Sequence, residues 1–357
     1  MDLIKIRKAA LSNSNILSTE LSQHYHCTPM TGRNSNQANG IPGGFCIVFP
    51  MNRNDSGSKI AFRVWYLDNF HHQQLQIAKD VGVDLPNIKL PYFVGYKYLE
   101  KAIDVEGNRI PGVRMEWVYG DTLDNYIKKH RSTQEIQKLA GNFLTMCRDV
   151  TIAGIAHGDL SNSNILVMSS GEIRLVDYDS LYLPSMAGKG YTQTTSGQPA
   201  FQHPQRRGAI PMSSNDDNFS QILIYLSLLA ISHDTTLVDN IAETELLFNN
   251  VDLQSVNNFR NSNGYQVVSR INDKVVRTCL TALEKAIAGP LSAVPSLVNV
   301  LHDASPVETP KPLSGGTTYV VMFRNKNYCP MCGTKYPSER SAFCSLCRHP
   351  REVEKTW

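Results

Sequence analysis

The chain has 357 residues, of which 41% are hydrophobic and 19% charged. That is ample for one large domain beside a small one, or for two medium ones, and it excludes wholesale disorder. Lys and Arg number 35 against 32 Asp and Glu; at a net charge of +3 no strongly basic nucleic-acid face is visible in the totals, and charge names no partner.

The N-terminus, MDLIKIRKAALSNSN, mixes charge into its apolar positions, so no secretory signal is expected. The longest apolar run, ILIYLSLLAI from Ile222 to Ile231, is shorter than the ~20 residues a membrane helix needs and is expected to be a buried helix. These readings predict a cytoplasmic protein with no membrane segment.

In chain order, the first ~20 residues predict one short helix with polar surroundings. TGRNSNQANGIPGG reads as loop, and FCIVFPM and KIAFRVWYL read as strands joined by the turn NRNDSGS. NFHHQQLQIAKDVG predicts a helix ending near Gly82. YFVGYKYL and VRMEWV then read as strands, with the turn VEGN ahead of the second. Residues 40 to 118 are thus expected to form a small antiparallel sheet with one helix.

From residue 121 the pattern turns helical. DTLDNYIKKH opens with an Asp N-cap candidate, and STQEIQKLAGNFLTMCRDVTIAG opens with a capping box. NILVMSSGEIRLVDY predicts a hairpin with its turn at Ser-Gly, followed by a long loop from 184 to 216 and several helices to about 302. DASPVETPKPLSGG (303–316) is a linker to a Cys-rich tail, and no internal repeat is evident.

The stretch HGDLSNSNILVMSSGEIRLVDYDS carries the chemistry. Asn164 at the start of the predicted hairpin and Asp177 at its end are expected to converge, and an amide with a carboxylate suits a hard cation such as magnesium. Asp159, on the adjacent loop, can accept a proton from a hydroxyl.

An Asp base, an Asn for one metal and a second Asp on the metals is the arrangement of protein kinase catalytic loops. HGDLSNSN resembles the element HRDLxxxN of that family, and DYD (177–179) resembles DFG. GQPAFQHP (197–204) resembles the end of a kinase activation segment. DDNFSQILIYLSLLAI resembles the buried helix whose leading Asp, here Asp217, holds the catalytic loop through backbone N–H groups in the family. MEWVYGDTLDNYI resembles the hinge, IAFRVW the strand that carries VAIK, and GIPGGFCIVF a degenerate glycine-rich loop. The closest likeness is to bacterial kinases similar to eukaryotic Ser/Thr kinases, over roughly residues 36 to 300.

The resemblance implies a two-lobed α+β fold. Its expected divisions are an N-terminal extension (1–35), a sheet-based N-lobe (36–114), a helical C-lobe (115–302), a linker (303–318) and a small zinc ribbon (319–357). It implies ATP and magnesium as cofactors and transfer of the γ-phosphoryl to a Ser or Thr hydroxyl. Asp159 would be the base, with Asn164 and Asp177 on magnesium. Arg63 would meet the α/β phosphates, covered by the loop holding Gly40, Gly43 and Gly44. Met115 would be the gatekeeper, and the backbone of Glu116 to Val118 would meet adenine. Thr192, Thr194, Thr195 and Ser196 stand where kinase loops are phosphorylated.

Four features depart from the family. Arg63 stands in place of Lys, and the two are not equivalent in shape or hydration. The helix after it has no Glu, leaving Gln73, Gln74, Gln76 and Asp80 as candidate partners. Ser161 replaces a Lys. Asp179 replaces the Gly of DFG, where positive φ is easier for glycine. Two further readings therefore stand beside an active kinase. One is a nucleotide-binding pseudokinase serving as an interaction platform. The other, prompted by HGDL, is a small-molecule kinase similar to aminoglycoside phosphotransferases.

Cys27, Cys46, Cys147 and Cys279 are scattered and are expected to be buried small hydrophobes. Cys329, Cys332, Cys344 and Cys347 form two CxxC knuckles, the pattern of a tetrahedral four-cysteine zinc site. Four thiolates leave no open position, so the zinc would be structural. Such a ribbon implies docking of a protein substrate or partner; nucleic-acid binding is possible and not favoured. His24, His26, His71 and His72 read as surface residues, and adjacent His on a helix point in different directions. His203 is expected to pack or hydrogen-bond.

Overall fold

A computed structural model describes residues 2–303 other than 45, 67–71, 194, 209 and 243. The linker from residue 304 and the Cys329, Cys332, Cys344 and Cys347 ribbon lie outside the described residues, as do His71 and Thr194. The structure is mixed α and β, with an antiparallel sheet and a helical part. It divides into two compact units. The first comprises Met1–Tyr119, Arg174–Asp179 and Ser185–Tyr191; the second comprises Gly120–Ile173, Ser180–Pro184 and the described residues from Thr192 onward.

The first unit holds α1 (Leu3–Leu11), α2 (Thr19–His24), β1 (Tyr25–Cys27), β2 (Ile41–Pro42), β3 (Cys46–Arg53), β4 (Lys59–Trp65), α3 (His72–Asp84), β5 (Tyr96–Val105) and β6 (Asn108–Glu116). The strands pair antiparallel in the order β1-β3-β4-β6-β5, with β2 added to β3. The predicted hairpin turns are present: Gly57 at φ 66 serves the first, and Glu106 at φ 54 with Gly107 at φ 85 the second. Arg63 lies opposite Val48 on one side and Val113 on the other, which sets it in the middle of the sheet.

Three features differ from the sequence reading. The one helix expected in the first ~20 residues is α1, but a second, α2, follows it from Thr19, and Ile6, Ala10, Ile16, Leu21, Tyr25 and Cys27 of the segment 1–35 join the core of Phe49, Met51, Phe62 and Ile103. The extension is thus packed into the unit, its apolar residues sharing one core with those of β3, β4 and β5. Gly82 does not end α3; the helix runs on to Asp84. Glycine is needed there because a Cβ would come within 2.8 Å of the Tyr98 Cβ.

The second unit holds β7 (Asp121–Thr122), α4 (Leu123–Lys129), α5 (Thr133–Ile152), β8 (Ile165–Val167), β9 (Ile173–Leu175), α6 (Asn218–His233), α7 (Val256–Asn261), α8 (Asn263–Val268), α9 (Lys274–Ala288) and α10 (Leu297–Asp303). Of these, the Arg174 and Leu175 end of β9 already belongs to the first unit. Helix α6 packs on α5 and α9 and is buried nearly all round, from Asn218 through Leu228, as its unbroken apolar run dictates.

The capping box forms: Ser132 Oγ accepts the Glu135 N–H at 3.2 Å and donates to Glu135 Oε2 at 2.6 Å. The expected Asp121 cap does not. Thr122 takes the N-cap position, while Asp121 pairs with Val167 in the β7–β8 ladder and with Lys129. Pairing of Asp121 and Thr122 with β8, not foreseen from the sequence, sets the start of α4 at Leu123. Cys27, Cys46, Cys147 and Cys279 are buried free thiols. Among the described residues no helix is long and apolar enough to cross a membrane.

Candidate functional site

The second unit presents the loop His157–Asn164. Its backbone is bracketed from two sides. Asp217, at the start of α6, accepts the His157 N–H at 2.5 Å and the Gly158 N–H at 2.8 Å. Arg206 donates to the Gly158 carbonyl at 2.5 Å and to Gln202 Oε1 at 2.6 Å. Asp217 is fully enclosed, and burial raises its pKa against the opposing pull of those N–H groups. The role expected for Asp217 is therefore present as geometry, whereas Arg206 is a contributor that the sequence reading missed.

Gly158 is at φ 78, and a Cβ there would meet the Ser180 carbonyl oxygen and Gln193 Nε2 well inside 3.0 Å. No side chain fits at this position. Gln193 completes the wall, donating to the Ser180 carbonyl at 3.2 Å and to Asp216 at 2.7 Å.

Asp159 follows, partly exposed. Its Oδ1 accepts the Gln198 backbone N–H at 2.9 Å, and its Oδ2 accepts from Asn164 Nδ2 at 3.2 Å. The same amide donates to the Asp159 carbonyl at 2.8 Å. Asn164 is buried, and its Oδ1 is approached by Ser163 Oγ at 3.5 Å. Gly197 lets the 197–198 backbone reach Asp159, since a Cβ there would lie 2.6 Å from Asp159 Oδ1. Ser161 is fully buried, with its hydroxyl 3.1 Å from Ser163 Oγ. So Asp159, Asn164 and Gln198 form one hydrogen-bonded group, a carboxylate held in a fixed orientation. Gln198 was not singled out from sequence; its GQPAF context was the available signal.

The first unit presents a second group. Arg63 is buried and spreads its guanidinium over separate partners: Nε to Cys46 Sγ at 2.9 Å, Nη1 to Asp177 Oδ1 at 2.9 Å, and Nη2 to Asp179 Oδ2. Burial alone would pull its pKa down, but Asp179 and then Asp177 outweigh it and hold the charge well above the ordinary value. Burial pushes the Cys46 thiol up to about 11 against the pull of Arg63, so it stays a neutral neighbour.

Two expectations are corrected here. The ion-pair partners of Arg63 are the carboxylates of the 177–179 segment, not a glutamine or acid of α3. Asp80 instead takes Lys189 at 2.7 Å and Tyr191 at 2.8 Å, and Asp84 takes Ser185 at 2.5 Å, tying the 185–191 segment to α3. The positive φ lies at Asp177 (67°), not at Asp179. Asp179 thus carries no left-handed strain, and the strain at 177 sits on a residue type that tolerates it.

Segment 174–179 is anchored by Tyr178. Its hydroxyl donates to the Leu175 carbonyl at 2.7 Å and accepts the Val94 N–H at 2.8 Å, and its ring packs on Phe93 and Tyr96. Among the glycines, Gly43 donates to the Cys46 carbonyl at 2.7 Å and its own carbonyl accepts from Tyr66 at 2.5 Å. Gly40 is required by packing, because a Cβ would sit 2.8 Å from the Phe49 ring; Gly44 meets open space. Arg7 of α1 donates to the Gly40 carbonyl at 2.9 Å, a support from the N-terminal segment that the sequence did not suggest. Met115 is buried, opposite Ala61 and Tyr96, and Glu116 exchanges bonds with Gly95 through its N–H (2.9 Å) and Oε2 (3.3 Å). Val118 is half-buried.

Of the residues predicted for the site, Asp159, Asn164 and Asp217 belong to the second unit. Arg63, Asp177, Gly40, Gly43, Gly44, Met115, Glu116 and Val118 belong to the first. Among the described residues no cluster of three or more His, Cys, Asp or Glu forms a metal site. Asp177 and Asn164 each offer the hard oxygen that magnesium takes, and Asp177 keeps half its side chain exposed (49%). His203 is buried in a packing role, with Nε2 2.9 Å from the Ala286 carbonyl and its ring edge-on to Phe219. No protein-family model matches this chain, and no curated protein is significantly similar to it.

Proposed function

We propose that this chain is an ATP- and magnesium-dependent protein kinase acting on Ser or Thr hydroxyls. The observation that carries the reading is the loop His157–Asn164: Asp217 and Arg206 hold its backbone, and Asn164 and Gln198 hold the Asp159 carboxylate. A carboxylate oriented from two sides and still partly exposed is what proton abstraction from a bound hydroxyl requires.

In this reading Asp159 orients the acceptor hydroxyl and takes its proton. The hydroxyl oxygen bonds to the γ-phosphorus as the bond to the β,γ-bridging oxygen breaks, and ADP leaves. Asn164 and Asp177 would be the magnesium ligands, and magnesium when bound would neutralise charge on the phosphates. Arg63 meets the α/β phosphates, with the 40–44 segment over them and Met115 and the Glu116–Val118 backbone at the adenine. Positioning and charge neutralisation supply most of the catalysis in such transfers. The tail cysteines Cys329, Cys332, Cys344 and Cys347 are assigned one structural zinc ion, because four thiolates complete a tetrahedral shell.

A second reading, a nucleotide-binding platform without transfer, is favoured by one observation. Both oxygens of Asp159 are already engaged, and Ser161 supplies no cation beside them. Incubating purified protein with γ-labelled ATP and magnesium, beside an Asp177→Ala control and a thermal-shift titration, separates the two. Label on the wild type alone, with a shift, supports the kinase. A magnesium-dependent shift without label, even on generic protein substrates, refutes transfer and leaves the platform.

A further inference from the structure

Arg63 is a buried cation at the centre of a sheet, with a side chain only 6% exposed. Such a charge must keep a partner in every state, because an uncompensated guanidinium in the interior is strongly disfavoured. Its Asp neighbours are not equal. Asp177 is half-exposed, at 49% of its side chain, and strained at φ 67, whereas Asp179 is 24% exposed with an ordinary backbone. Each sits on a different nitrogen, Nη1 and Nη2, and Nε is taken separately by Cys46. Releasing one nitrogen leaves the other two in place, and the planar fork keeps its direction while they hold it. The acids of α3 are no substitute, being bound to Lys189, Tyr191 and Ser185.

We propose that Asp177 is shared, alternately, between Arg63 and the divalent cation, and that Asp179 is the positioning residue that keeps Arg63 in place when the cation takes Asp177. This rests on the reading above that Asp177 is a magnesium ligand. It makes two departures from the kinase pattern, Arg63 and Asp179, a matched pair. An acid two residues beyond Asp177 does the work of the missing helix carboxylate.

Isothermal titration of the full chain with magnesium alone, and then with magnesium and a non-hydrolysable ATP analogue, tests it. Arg63→Met removes the competitor for Asp177, so magnesium alone should bind tighter, on the order of tenfold for a cation lost at this range. Asp179→Asn leaves Arg63 leaning on Asp177, so magnesium should bind weaker by a similar factor, and Asp179→Glu should recover part of the loss. Opposite signs from neighbouring substitutions are not produced by a general loss of structure. If Asp177→Asn abolishes the magnesium response while Arg63→Met and Asp179→Asn leave it unchanged, or move it the same way, the exchange is refuted and the magnesium assignment survives. If Asp177→Asn leaves the response intact, the assignment itself falls, and the exchange with it.

Discussion

Substituting Gly158 by alanine tests whether the loop bearing Asp159 is held by shape. Two costs add. The position is at φ 78, where an L side chain loses ~1–2 kcal/mol to backbone strain. The new methyl group also falls well inside 3.0 Å of the Ser180 carbonyl oxygen and of Gln193 Nε2, a forced overlap costing about 1–3 kcal/mol in a packed site. The sum is ~2–5 kcal/mol by the same estimates. Gly188 provides the control: its φ is also 78, but nothing lies within 4 Å of its hypothetical Cβ, so Gly188→Ala should show the strain alone. Urea unfolding of both variants measures the difference. Native-state hydrogen exchange at the His157 and Gly158 amides, which Asp217 holds, localises it. A Gly158→Ala protein no less stable than Gly188→Ala, with unchanged exchange at those amides, would refute the steric argument.

Asp217→Asn should lose ~1.5–3 kcal/mol, the range for hydrogen bonds to a charged acceptor, and should raise exchange at the His157 and Gly158 amides above all others; uniform exchange would contradict this. Gly197→Ala should lower phosphoryl transfer more than nucleotide affinity, because its methyl group would press on Asp159 Oδ1 at 2.6 Å; equal losses in both would count against it. Burial lowers the His203 pKa below its ordinary value of 6.5, so the unfolded chain takes up the proton first as pH falls. Stability should therefore drop as pH falls through about 6.5, and His203→Gln should flatten that part of the profile in thermal melts; an unchanged slope would overturn it. Metal analysis should find about one zinc per chain, lost on treating the protein with a strong chelator or on Cys329→Ser with Cys332→Ser; a metal-free chain with paired disulfides would be the contrary result.

Much of the fold was legible because local pattern and burial agree. The short apolar runs CIVFPM and KIAFRVW mark strands that are largely buried, and the unbroken run ILIYLSLLAI marks a helix enclosed on all sides. The STQE cap was legible for the same reason: its bonds lie within one turn of chain. Of the candidate site, one local feature was legible: the Asp217 bonds to the His157 and Gly158 N–H groups, expected from the likeness of DDNFSQ to a helix that holds a preceding loop, are present.

Tertiary structure decided what depends on residues far apart in the chain. Local pattern read Gly82 as a helix end, yet only the closeness of Tyr98 makes glycine necessary there. It read Asp121 as a cap, but a ladder partner at Val167 claims that residue first. It looked for the Arg63 counterion on the next helix, whereas the partners lie 114 and 116 positions away, at Asp177 and Asp179. Spacing along a chain specifies hydrogen bonds within a turn or a hairpin. A buried charge, a close backbone approach or a support such as Arg7 on Gly40 is selected by what surrounds it, and those surroundings exist only once the sheet and helices have packed.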